Sequence, residues 1–365
     1  MYILGVNISH HPSIVLLEDG KIVFYLEDDR WNRIKEVEWD FTQPLKSILD
    51  IRKYTDHIDH IIYTSYGKPP WHPISDELTI DYVKKHLELY RITFDKEYFY
   101  HEHHLYHACS AFYGSEFEES AALVMDGGGW RIRQYCEQSE VESMYYFAST
   151  GDVRTVKKVY GSRLIDLWYP KGHNSEPLLV SDNIVFSDTL SCGTIFNTSQ
   201  YVTATNSPGK VMGISPYRGY EDDSEWFVYH EKTDTWVTDN ESVLNSYRRF
   251  YNEPHLDPAS DDPREFDFDI AASLSRKVQD ETFKQTVRLI RQLMSKVDTK
   301  NLVLSGGYFL NCVNNYRYLK EFPDINFWID PTSHDGGTAI GAAKYLWHHI
   351  LKEKSRYPLE TLYLG

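Results

Sequence analysis

The chain has 365 residues, enough for one large domain or two of ordinary size with a buried core. Apolar residues make up 41% and charged residues 25%, and 20 glycines with 15 prolines exclude collagen-like and low-complexity readings. A formal net charge of −16 excludes bulk electrostatic binding of nucleic acid or anionic membrane, leaving only a local basic groove for such contacts.

Residues 2–8 (YILGVNI) predict a buried strand, followed by the polar break SHHPS and the run IVLLEDGKIVFYLED. Asp19-Gly20 between apolar runs marks a two-residue hairpin. The N-terminus has no cationic region and no long apolar run, so it does not read as a signal peptide. No stretch reaches the ~18 apolar residues of a membrane span. Residues 43–55 predict a helix, 58–66 a strand, and 75–93 and 103–114 two helices. Cys109, Cys136, Cys192 and Cys312 form no CxxC pair, which predicts reduced thiols and a cytoplasmic setting.

A second round then begins. SAALVMDGGG (120–129) reads as a strand ending in Asp and glycines, followed by alternating strands in RIRQYCEQ, SMYYFAST and VRTVKKVY. It resembles the opening unit and predicts an internal duplication, with lobes at 1–115 and 116–365. Residues 221–265 are acidic, rich in Trp and Tyr and without a sustained period, so a loop-rich insertion is expected there. A long amphipathic helix is predicted over 268–297, a strand in KNLVLSGG, a helix over 310–320, a strand in INFWIDP and a closing helix in GGTAIGAAKYLWHHILKE. The alternation of strands and helices with hairpins predicts a mixed α/β fold.

Four constellations could carry chemistry. His103 and His107, four apart in a predicted helix, share a face and could ligate one metal ion. Asp126 at a strand end and Asp335 in TSHDGG could complete the set. A hydrogen-bonded core helix is the plain alternative, and His101 and His104 offer other registers. Asp126-Gly127-Gly128-Gly129 and Ser305-Gly306-Gly307 each end a strand, where freed backbone N–H groups can cradle an anion. Neither fits GxxxxGK[ST] or GxGxxG. PGKVMGISPY (208–217) reads as a tight loop with Lys210 poised for a phosphate, or as a turn with a solvated lysine. His10 in SHHPS stands near the charged run of Glu27, Arg30, Arg33 and Lys35, where it could act as a general base, or simply lie in a surface loop.

Taken in order, LGVN with HHPSIVLLEDGKIV, EDDRWNRIK, HHLYHACSAFY, VMDGGG, PGKVMGISPY, DIAASLSRKVQ, LSGGYFLNCVNNYRYL and DPTSHDGGTAIGAA resemble the O-carbamoyltransferase family of the nodulation and antibiotic-tailoring type. The N-terminal domain of that family is similar to the tRNA threonylcarbamoyl-transfer enzymes. The resemblance implies duplicated RNase H-like lobes with mixed sheets, as in actin, sugar kinases and heat-shock ATPases. It implies a metal, often iron with manganese or zinc as alternatives, held by His103, His107, Asp126 and Asp335. It implies an adenine nucleotide (ATP, ADP or carbamoyl-adenylate) at Gly306, Gly307, Leu310 and Asn311 and at Gly209, Lys210, Met212 and Gly213. It implies that His10 and Lys35 face the carbamoyl donor and the acceptor hydroxyl.

Departures are plain. His11-Pro12 replaces Asp-Ala, Trp130 stands where an acidic residue is usual, and His334 replaces serine before Asp335. Full-length members continue into a second domain that forms carbamoyl-adenylate from carbamoyl phosphate and ATP. No trace of that domain is found, so a separate adenylate-forming partner or another donor route is expected. Relatives act on sugars, aminoglycosides and polyketides, and compact ones resemble tailed-phage genes. The expected acceptor is therefore the hydroxymethyl group of a modified pyrimidine, in DNA or as a nucleotide, in a host cytoplasm. A sugar or antibiotic hydroxyl is the alternative, and a nucleotide-binding regulator or kinase of the same fold is the reading from another class.

Overall fold

The computed structural model describes residues 1–33, 46–68, 72, 74–132, 138–162, 176–250 and 266–362. Strands β1 (Tyr2–Asn7), β2 (Ser13–Glu18) and β3 (Lys21–Glu27) form an antiparallel meander. Asp19 and Gly20 turn β2 into β3 with φ of 48° and 85°, the left-handed pair that matches strand twist. Short helices α1 (Asp28–Asn32) and α2 (Lys46–Ile51) lead to β4 (His57–Thr64), α3 (Asp76–Leu89), β5 (Thr93–Phe99) and α4 (His103–Gly114). The first sheet has the order β3-β2-β1-β4-β5, with β4 parallel to both β1 and β5.

The second unit comprises β6 (Ser120–Met125), β7 (Ser139–Phe147), β8 (Val153–Gly161), β9 (Leu178–Ser181) and β10 (Ile184–Phe186). Helices α5 (Cys192–Val202) and α6 (Pro208–Ile214) follow, then the hairpin β11 (Phe227–His230) and β12 (Thr235–Thr238). The chain ends through α7 (Asn240–Phe250), α8 (Phe268–Met294), β13 (Asn301–Ser305), α9 (Cys312–Glu321), β14 (Asn326–Ile329) and α10 (Gly337–Tyr345). The second sheet runs β14-β13-β6-β7-β8-β10-β9. Five consecutive strands from one edge, β8-β7-β6-β13-β14, repeat the order and directions of the first sheet. The molecule is a duplicated, RNase H-like α/β fold with mixed sheets.

The terminal helices of the two units cross over. Helix α4 packs on β6, β7 and β13, whereas α10 packs on β1, β2 and β4, and the two helices lie against each other. Strand alternation feeds both layers. Leu4 and Val6 on one face of β1 join a cluster with Ile48 and Val83, while Ile3 on the other face joins Ala339 and Ala343 of α10. A Cβ at Gly341 would stand 1.7 Å from the carbonyl oxygen of Tyr106, so only glycine lets α10 lie this close to α4. Gly341→Ala is expected to destabilise the protein by about 1–3 kcal/mol or more through overpacking, read from a denaturant melt. An unchanged midpoint would refute the contact.

Three sequence expectations change. Strand β5 went unforeseen because it is an edge strand with Asp95, Lys96 and Glu97 exposed, so no apolar alternation marks it. The 208–217 segment is not a tight loop: Pro208 sits in the first turn of α6, where its missing N–H costs nothing, and buried Val211 anchors that helix. The described part of the expected loop-rich insertion carries the β11–β12 hairpin and α7. Of its aromatics, Trp226 and Tyr247 are fully buried in the core of the second unit, whereas Tyr229 is exposed beside Trp236. Lys35 lies outside the described residues. Among the described residues no helix is long and apolar enough to cross a membrane.

Candidate metal centre and its surroundings

His103 opens α4 and His107 follows one turn later on the same face. Asp126 ends β6, and Asp335 lies in the connection from β14 into α10. These four side chains, from three separate stretches of chain, present ligand atoms that all lie within 4.8 Å of one another. The two Nε2 atoms face each other at 3.2 Å. His103 Nε2 is 3.6 Å from Asp126 Oδ2 and 3.6 Å from Asp335 Oδ1, and His107 Nε2 is also 3.6 Å from Asp335 Oδ1. All four residues are buried.

The charges are tightly balanced. Burial pulls the His103 imidazole down, but the Asp335 and Asp126 carboxylates outweigh it and raise it to about 10. Burial and the neighbouring Asp335 push Asp126 up, yet the imidazoles hold it below the ordinary carboxylate range. Asp335, also pushed up by burial, is held well below that range by His103 and His107. Two buried carboxylates at one point thus require positive charge between them.

The donor set fits a divalent transition metal, for which two imidazoles and two carboxylates are suitable ligands. A further observation agrees. Both Nδ1 atoms, of His103 and His107, are buried with no hydrogen-bond partner among the described residues. Both rings thus have their Nε2 atoms as the nitrogens turned toward the carboxylates.

A polar wall adjoins this set. Asn7, fully buried at the end of β1, donates from Nδ2 to the carbonyl oxygens of His10 (2.7 Å), His11 (2.9 Å) and Asp335 (3.1 Å). One amide therefore pins the SHHPS loop to the Asp335 loop. His10 contacts His11 edge-on, with ring centroids 4.2 Å apart, and His11 stacks on His334 at 5.0 Å. His334 accepts from the Gly336 N–H at Nδ1, so its Nε2 donates to Glu27, 3.3 Å away. Glu27 also accepts from the Tyr25 hydroxyl. The two departures His11 and His334 are thus partners in one stack. His11 holds φ of 52°, a left-handed conformation uncommon for histidine.

The glycine loops come to the same place. Gly306, with φ of 98°, passes so close to Met125 that a Cβ would meet its carbonyl oxygen at 2.2 Å. The next N–H, of Gly307, donates to Asp126 Oδ1. The N-terminus of α5 packs on the backbone of Asp126 and Gly127, where Ser191 Oγ donates to the Asp126 carbonyl. Beside Gly127 the space for a side chain is open. Other expected nucleotide residues have partners of their own. Ser305 donates to Asp330, and Asn311 exchanges two amide hydrogen bonds with Gln279 while capping α9. Leu310 is exposed, as are Lys210 and Gly213 on α6, a helix that packs on α5 and α8.

Sequence reasoning missed Asn7 and Glu140. Glu140 is a buried carboxylate which burial raises but Lys158, at 2.6 Å, lowers to about 2. An Asn ending the first strand was a signal for the first; nothing in QSEVES marks the second.

Fold and site together define a duplicated RNase H-like protein with a candidate N₂O₂ set where the start of α4, the end of β6 and the loop before α10 meet. The chain belongs to the family described as carbamoyltransferase N-terminus, whose profile matches residues 37–344. It is 28% identical to protein sll1178 of Synechocystis, with 97% of this chain and 58% of that protein aligned. It is 24% identical to the nodulation protein NolNO of Sinorhizobium fredii, covering 98% of this chain and 49% of that one. The chain thus spans about half the length of these curated relatives. Its fold is similar to that of full-length HypF in the phosphate- and nucleotide-bound form, with a TM-score of 0.57 and 13% identity over 94% of this chain and 55% of that chain.

Proposed function

We propose that the chain transfers a carbamoyl group to an acceptor hydroxyl, with His103, His107, Asp126 and Asp335 holding a transition metal, iron first and manganese or zinc as alternatives. The observation that carries this is the convergence of those four buried ligands beside the loop of His10, in a chain of the carbamoyltransferase N-terminus family. The metal, when bound, supplies Lewis-acid polarisation of a donor oxygen. His10 takes the acceptor hydroxyl proton as that oxygen attacks the carbamoyl carbon, and the bond from that carbon to the donor's phosphate oxygen breaks, releasing AMP from carbamoyl-adenylate or inorganic phosphate from carbamoyl phosphate. Lys35 is the candidate that the family resemblance supplies for contact with donor or acceptor. Asn7 keeps the His10 loop in register with Asp335. Gly127, Gly128 and Gly129, with Gly306 and Gly307, are the candidates to border the donor phosphate, although the Gly129 and Gly307 N–H groups already donate to Glu140 and Asp126; Lys210 and Gly213 of α6 are candidates for a further contact. The donor is carbamoyl-adenylate, or carbamoyl phosphate with ATP.

The acceptor is the hydroxymethyl group of a modified pyrimidine, as a nucleotide or in DNA. The test is product mass spectrometry after incubation with carbamoyl phosphate and ATP, with and without an adenylate-forming partner. Hydroxymethylated DNA, its mononucleotide and an aminoglycoside are offered in parallel. A gain of one carbamoyl group on either pyrimidine substrate is the expected result. Gain on the aminoglycoside alone discards the nucleobase and leaves carbamoyl transfer standing. ATP consumed with acceptor but without carbamoyl phosphate points instead to a kinase.

A further inference from the structure

We propose that Trp130, backed by Glu140, is a positioning residue that clips the Asp126 loop to the strand ends of the first sheet and so holds the ligand set assembled; this rests on the metal reading above. Trp130 belongs to the loop that Asp126 begins. Its indole stacks on the imidazole of His101, with centroids 3.8 Å apart and planes 11° apart. Phe99, at the end of β5, meets the same indole edge-on at 6.0 Å. Gly67, just beyond β4, packs on it as well. Gly67 has φ of 75°, and a Cβ there would lie 3.1–3.2 Å from Cε3, Cδ2 and Cζ3 of the indole. A side chain of the second unit is therefore held by two connections of the first, and one of these, through His101, runs directly into His103.

The backbone of Trp130 is tied down equally well. Its N–H donates to Glu140 Oε2 at 3.1 Å, and its carbonyl accepts from the Glu140 N–H at 3.0 Å. The same Glu140 Oε2 accepts from the N–H of His104, in the first turn of α4, at 3.1 Å. A carboxylate there satisfies a helix donor that has no partner within the helix. Lys158 holds the other oxygen at 2.6 Å. One buried carboxylate thus joins the start of α4, which carries His103 and His107, to the loop that carries Asp126. The indole closes the same junction from the solvent side. Supporting groups of this kind govern metal affinity because ligands must be ordered before the ion arrives.

The test compares Trp130→Ala and Trp130→Phe with the parent, using Co(II) as the probe, titrated against a chelator and followed by its visible absorption. Trp130→Ala is expected to weaken Co(II) binding by about 10- to 100-fold. Trp130→Phe, which keeps a ring against His101 and Gly67, should recover most of that loss. In metal-free protein, amide hydrogen exchange over residues 101–107 should quicken in Trp130→Ala and not in Trp130→Phe. Parent-like Co(II) affinity in Trp130→Ala, or a phenylalanine variant no better than the alanine one, overturns the proposal. A parent that binds no Co(II) sinks the metal reading instead, and the exchange rates then decide whether the clip exists: unchanged exchange in Trp130→Ala overturns it.

Discussion

Replacing His103 with alanine should leave the purified protein without transition metal and make its metal-free form less stable by about 3–5 kcal/mol. Both effects have one cause. His103 is the ligand that approaches both carboxylates, at 3.6 Å each, and it is fully buried. Without it Asp126 and Asp335 stay buried together, and the imidazole left beside them is His107, 3.6 Å from Asp335. Breaking a buried ion cluster by deleting one partner is costly because the remaining charge is uncompensated. Elemental analysis and urea melts of chelated protein read the two effects separately. Stoichiometric metal surviving in the variant would remove His103 from the set, and a parent free of transition metal would remove the set itself. Loss of metal with unchanged stability would show that the carboxylates relax into water.

The second large effect concerns turnover. His10→Asn should lower kcat by ~10²–10⁴-fold, the usual worth of a positioned base, while metal content and donor affinity stay at parent values. The His10 ring contacts His11 rather than any of the four ligands, so its replacement leaves those ligands in place. Its carbonyl, rather than its ring, receives the Asn7 hydrogen bond, so asparagine at position 10 keeps the loop anchored. Parent-like turnover would exclude His10 as the base. Loss of metal would mean that the loop, and not the imidazole, had been disturbed.

The parts of this molecule legible from sequence are those with a period or a punctuation mark. His103 and His107 are readable because a four-residue step is a helix face, and the Asp19-Gly20 turn because few residues adopt its dihedrals. Leu4 and Val6 against Ile3 showed a strand buried on both faces. Strand β5 carries exposed charges at a sheet edge and gives no such mark. Helix α5 is built from residues of modest helix propensity, held by the reciprocal Ser191–Thr194 cap. Pro208 and two glycines hid α6 by suggesting a turn. The clip of Trp130, Gly67 and His101 could not be seen at all, because it joins residues far apart in sequence and each reads alone as loop. The same holds for Glu140, whose importance comes from where its carboxylate is buried.

The crossing of α4 and α10 has one further consequence. Each sheet is roofed by a helix encoded at the end of the opposite repeat, like two houses that share rafters. Cutting the gene between the repeats would leave two open-faced sheets rather than two smaller proteins. An ancestral single repeat would have needed a twin copy to cover itself, and fusion of the copies would have made that obligatory pairing permanent.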